Sequence, residues 1–107
     1  MPFDPHTRRP VEELETKELK RIFVEPLEVS EHATDYLSDK KRLLFNPEVF
    51  IKECRREPNK LYRQANGAYR AYYRRENGYQ EVIFEIKRNK TIIATFMVVK
   101  ELPQVEL

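Results

Sequence analysis

Apolar positions along this chain follow two periods, and the change falls near Pro58. Before it, Val11, Leu14, Leu19, Ile22 and Phe23 form a loose helical stripe among Glu and Lys. That stripe opens at Pro10, a favoured first helical residue, and closes near Pro26. Leu27 to Val29 reads as a short apolar link. Ser30 then caps a second predicted helix, in which Ala33, Tyr36 and Leu37 recur toward Arg42, with acids at Glu31 and Asp35 and bases at Lys40, Lys41 and Arg42, as the helix dipole favours. A third helix has Asn46 as its cap, Pro47 in first place and Phe45 set to staple against Phe50. Phe50, Ile51 and Cys54 face inward, and Pro58 ends it.

After Pro58 the period shortens to two. Asn66-Gly67 and Asn77-Gly78 lie between segments rich in tyrosine and β-branched residues, the pattern of tight hairpins, and Asn89-Lys90 marks a third turn. The expected strands are Lys60 to Ala65, Ala68 to Arg75, Tyr79 to Arg88 and Thr91 to Lys100. With two-residue loops, Arg63 falls opposite Arg70, Arg70 opposite Glu85, Tyr72 opposite Ile83 and Arg74 opposite Glu81, all on one face. Tyr62, Tyr69, Ala71, Tyr73, Val82, Phe84 and Ile86 take the other face, the expected core. The last strand is apolar on both sides, so it is expected to be central or covered by the first helix. The fold class is α+β: N-terminal helices packed on a four-stranded antiparallel meander.

Length and composition narrow the frame. The 107 residues suit one domain over 10–107, preceded by a proline-rich, flexible arm over 1–9. Cys54 is the single cysteine, which excludes an internal disulfide and a multi-cysteine zinc site and fits a reducing, cytoplasmic setting. No apolar run approaches the roughly 20 residues of a membrane span, so no membrane partner or export is expected. No metal-spaced cluster of His and acids appears, nor a Gly-rich phosphate loop, and the expectation is no metal and no cofactor.

The net charge of +2 hides a division. Residues 1–53 hold nine Lys/Arg against twelve Asp/Glu, and residues 54–107 hold eleven against six. Arg55, Arg56, Lys60, Arg63, Arg70, Arg74 and Arg75 crowd a stretch interleaved with Tyr62, Tyr69, Tyr72 and Tyr73. Guanidinium and aromatic groups together suit phosphates and unstacked bases. The competing reading is a solvated strand surface laced by exposed ion pairs with Glu81 and Glu85, each worth about 0 to 1 kcal/mol. Two arginines directly opposed cost up to about 1 kcal/mol, a conflict that a phosphate between Arg63 and Arg70 would relieve. His32, near the start of its predicted helix, is placed where the neutral imidazole could accept a proton.

The order of elements, with "VSEHATDYL" opening a helix and "YRQANGAYRAYYRRENGYQEVIFEIKRNKTIIATFMVV" forming the sheet, resembles the RelE-like and BrnT-like ribonuclease toxins of toxin–antitoxin systems over about residues 27 to 100. The resemblance implies a metal-independent endoribonuclease that cleaves messenger RNA by internal attack of a 2′-hydroxyl, with an antitoxin as protein partner. Under it, His32 or Glu85 is the base, Arg63 and Arg70 hold the phosphate, and Tyr72 stacks or positions. Arg55, Arg56, Lys60, Arg74 and Arg75 then extend the RNA-binding surface. Beyond Lys100 the tail has no basic or aromatic acid–base residue, whereas many RelE-like toxins carry one near the C-terminus. Two other classes fit the same residues: nucleic-acid binding without cleavage, and a protein-interaction module in which Leu61, Tyr72, Ile83 and Phe96 cover a partner or a second copy as a homodimer.

Overall fold

The structure is a computed structural model describing residues 10–35 and 37–103; the arm over 1–9, with His6, and Tyr36 and 104–107 lie outside the described residues. In chain order the elements are β1 (Pro10–Leu14), α1 (Leu19–Ile22), β2 (Leu27–Val29), α2 (Asp39–Leu43), α3 (Pro47–Cys54), β3 (Lys60–Gln64), β4 (Tyr69–Arg75), β5 (Gly78–Lys87) and β6 (Lys90–Val99). They build one six-stranded mixed sheet in the order β1-β3-β4-β5-β6-β2. The expected fold class is thereby overturned. The sheet has six strands rather than four, the first element is an edge strand rather than a helix, and the helices are short and mostly mid-chain.

Pro10 to Leu14 is a strand that pairs antiparallel with β3 and packs Leu14 against the core, and its glutamates face cations across the pair. Glu12 accepts from Arg63 at 3.1 Å and Glu13 from Lys60 at 3.1 Å, with Leu14 opposite Leu61. Pro10 sits at the sheet margin, where a missing N–H costs no ladder bond. Leu27–Val29, read as a link, runs parallel to Thr91–Ile93. Thr91 holds it there: the hydroxyl accepts from Val24 N at 2.8 Å and donates to Val24 O at 2.9 Å.

The helix expected from Ser30 to Arg42 does not form as one piece. Ser30 spends its N–H on Ile93 O at 2.9 Å, residues 31–35 are turns closed by Ala33 N to Ser30 O and Asp35 N to His32 O, and only Asp39–Leu43 is helical. The third helix follows its signals. Asn46 Oδ1 accepts from Glu48 N at 3.0 Å and Val49 N at 3.3 Å, and the Phe45 and Phe50 rings sit 5.5 Å apart. Phe50 and Cys54 then pack with Leu61, Ala71, Val82, Phe84, Ile93 and Phe96 in the core on one face of the sheet.

Loop lengths decide the faces. Gln64 N bonds Ala68 O at 2.8 Å and Gly67 has φ +88°, so the first loop is three residues, Ala65-Asn66-Gly67. One extra residue moves β3 by one step and turns each of its side chains to the other face. Tyr62, not Arg63, is therefore opposite Arg70, and Arg63 is opposite Tyr69. In the second hairpin Arg75 pairs with Gly78 around Glu76-Asn77, which puts Tyr72 opposite Glu81 and Arg70 opposite Ile83. That register differs from the expected one by two, so the faces of β4 and β5 stay as expected. The third turn is Arg88-Asn89, both residues with positive φ.

Candidate functional site

The five residues expected to form a catalytic cluster do not converge. By register, Arg63 and Arg70 point to opposite faces of the sheet, so the opposed pair proposed to clasp a phosphate is absent. Arg63 is instead tied to Glu12 through Nε and Nη2 at 3.2 and 3.1 Å. His32 lies in a turn with its side chain 79% exposed, 3.4 Å from Asp35. Glu85 pairs across the sheet with Ile92 and lies 3.4 Å from Lys87.

Arg70 and Tyr72 belong to a buried polar network on the face away from the helices. The Tyr72 hydroxyl donates to Glu81 Oε2 at 2.5 Å, Arg70 Nη1 is 3.7 Å from the same carboxylate, and Arg70 Nε donates to Gln64 Oε1. All four side chains are buried. Desolvation, with the Glu81 charge adding to it, pushes the Tyr72 phenol far above its ordinary value, so it remains a donor throughout the neutral range. Tyr62 and Tyr79 flank Tyr72 edge to face at 5.6 and 6.5 Å. This arrangement holds strands together; it offers no accessible base or nucleophile.

The cations expected to form a nucleic-acid surface are largely matched by carboxylates. Besides the Arg63 and Lys60 pairs, Arg55 is bidentate on Glu25 and Arg75 lies 3.1 Å from Glu53, while Lys90 holds Glu28 at 2.9 Å. Each of these pairs joins an acid of the first half to a base of the second. The charge division seen along the sequence thus cancels in space. The guanidinium of Arg74 lies 5.1 Å over the Tyr79 ring and donates to its hydroxyl at 3.2 Å. Arg56 lines a pocket of about 170 Å³ between α3 and the β4–β5 turn end, together with Cys54, Asn59, Tyr73 and Arg75. Burial pushes the Cys54 thiol up to about 12 and raises the Tyr73 phenol, which donates to Cys54 O at 2.6 Å. Neither group ionises near neutral pH. Among the described residues no three His, Cys, Asp or Glu side chains gather to hold a metal ion, and no helix is long and apolar enough to cross a membrane.

Leu61, Tyr72, Ile83 and Phe96, expected to be exposed for a partner, are all buried. The exposed apolar residues are others: Leu43 at 87%, Leu44 at 75%, Val49 and Val98 at 54%. Val98 lies on β6 itself, and Leu44 and Val49 share a groove with Phe96. β6 has ten residues, but β2 covers only Thr91–Ile93. A bulge between Ile83 and Phe84 inserts Ala94 and resets the alternation. From the hairpin closing pair Lys87↔Lys90, Thr91 and Ile93 turn their backbone groups outward to β2; from Arg75↔Gly78, carried across β5, Phe96 and Val98 turn theirs outward beyond it. Among the described residues, no backbone group meets Phe96 or Val98 on that side. Leu44, Phe45, Val49 and Phe96 line an adjoining groove of about 450 Å³.

This edge was visible in the sequence only as a strand apolar on both faces, which read as a sign of cover from within the chain. No protein-family model, curated protein or solved structure matches the chain.

Proposed function

We propose that the chain is a protein-interaction module whose binding element is the outer edge of β6, which takes up an extended strand of a partner. The observation that supports this reading is that, among the described residues, the backbone of Phe96 and Val98 is open on its outer side, in a ten-residue, largely apolar strand that β2 covers over three. Strand addition supplies main-chain hydrogen bonds for affinity, and the side-chain groove beside the edge supplies selectivity. The opposite edge of the same sheet gives a contrast. β1 carries Pro10, the charges of Glu12 and Glu13, and an irregular register, which are the devices that keep an edge from pairing. β6 beyond Ile93 has neither proline nor charge before Lys100, and its register is regular from Thr95 to Val99, past the bulge at Ala94.

The ribonuclease reading has no converging cations to support it, because Arg63 and Arg70 diverge and both are engaged by side chains of the chain itself. Nucleic-acid binding is weakened by the same pairing of bases with acids. The test of the interaction reading is a labelled peptide copying residues 90–100, followed by backbone amide shifts. Shifts concentrated at Phe96 and Val98, and lost when the peptide is N-methylated along one edge, support it. Binding that ignores N-methylation, or no shift at those amides, overturns it.

A further inference from the structure

Resting on that reading, we infer that the strand β6 takes up is β6 of a second copy, paired antiparallel about a twofold axis at Met97. Only Phe96 and Val98 present outward backbone groups on the open segment, and a twofold at Met97 places each opposite the other's counterpart. Two hydrogen-bonded pairs result, Phe96 with Val98 of the second copy and the reverse, with four N–H···O=C bonds. An axis at Phe96 would leave Val98 opposite the bulged Ala94. An axis at Val98 would set Lys100 against Phe96. The Met97 axis avoids both.

Side chains agree with this register. On the helix-bearing face Phe96 meets Val98 of the other copy, next to the exposed Leu44 and Val49, so apolar surface closes on apolar surface. On the other face Met97 meets Met97, and Thr95 lies beside Val99. The first charge beyond the strand, Lys100, falls opposite Ala94, so no like charges oppose. The two charges lining the groove, Glu53 and Arg75, lie 3.1 Å apart and compensate each other, so no unmatched charge there selects an oppositely charged partner, and a twofold contact needs only such self-complementarity. The ends of the joined sheet would then be the two guarded β1 edges and the short β2 strands would lie beside the junction.

Sedimentation velocity across a dilution series and cross-linking of Met97→Cys test the inference. The wild type should sediment as a dimer that dissociates on dilution. Val98→Lys, at an exposed position, should shift dissociation to at least tenfold higher concentration. Val98→Pro removes only an outward N–H and is the second variant should the lysine disturb folding. Under mild oxidation Met97→Cys should form a covalent dimer at least tenfold faster than Lys87→Cys, which lies at the third turn; Cys54, buried, does not compete. A monomer at every concentration, a dimer unaffected by either Val98 variant, or equal cross-linking at both sites overturns the self-pairing. If the protein is monomeric but the 90–100 peptide still binds at Phe96 and Val98, self-pairing fails and strand uptake stands; if neither occurs, both fail.

Discussion

Tyr72→Phe removes one oxygen from the interior and little else. The ring is fully buried and stays wedged between Tyr62 and Tyr79, so the substitution leaves packing almost unchanged. What is lost is the donor to the Glu81 carboxylate at 2.5 Å. A hydrogen bond to a charged group contributes about 1.5 to 3 kcal/mol, and here the acceptor left behind is itself buried, which places the expected loss at about 2 to 3 kcal/mol. For a domain of this size that lowers Tm by roughly 10 to 20 °C, at about 4 to 8 °C per kcal/mol. Urea unfolding at fixed protein concentration gives the free energy directly. Repeating Tyr72→Phe in a Glu81→Gln background separates the pair from the rest: the cost should shrink by about 1 kcal/mol or more, because an amide gains less from the phenol than a carboxylate does. A loss under about 0.5 kcal/mol, or the same loss in both backgrounds, would refute the network as the reason Tyr72 is there.

Three further outcomes follow from other parts of the fold. Gly78 and Gly67 both have positive φ, but a Cβ at Gly78 would lie 2.3 Å from Val99 O and one at Gly67 would meet nothing within 4 Å. Gly78→Ala should therefore cost about 3 kcal/mol by forcing backbone apart, and Gly67→Ala only the left-handed strain of about 1 to 2 kcal/mol, as chemical denaturation would show. Asn46→Ala should cost about 1 kcal/mol, since it strips the N-cap of α3. Cys54, whose thiol rises from 9.0 to about 12 in the fold, keeps its proton where the unfolded chain loses it; stability intact below about pH 9 should fall as pH rises toward 12, and alkylation at pH 8 should proceed only as fast as the chain opens.

Much of the local structure was legible in the residues. Asn46, Pro47 and the Phe45–Phe50 pair announce α3 because capping is a contact between near neighbours. The strands after Pro58 lie within a few residues of their expected ends for a similar reason. Long-range choices were not legible. Val11 to Leu14 fits a helical stripe as well as a strand, and the strand depends on pairing with β3, some 50 residues away in sequence, where Arg63 and Lys60 face Glu12 and Glu13. The dipeptide Asn66-Gly67 signals a turn but not its length, and the single additional loop residue, Ala65, was enough to send Arg63 and Arg70 to opposite faces. Asn77-Gly78 misleads differently: its glycine is required by the close approach of Val99, one residue beyond the turn.

The openness of the β6 edge is read most directly by amide hydrogen exchange followed residue by residue at two protein concentrations. Thr95 and Met97 bond inward to β5 and should be protected at both. Phe96 and Val98 should exchange freely in dilute solution and become protected as concentration rises. Protection of all four amides at every dilution would mean the edge is already covered, and continued fast exchange of Phe96 and Val98 at high concentration would mean that no second copy pairs there.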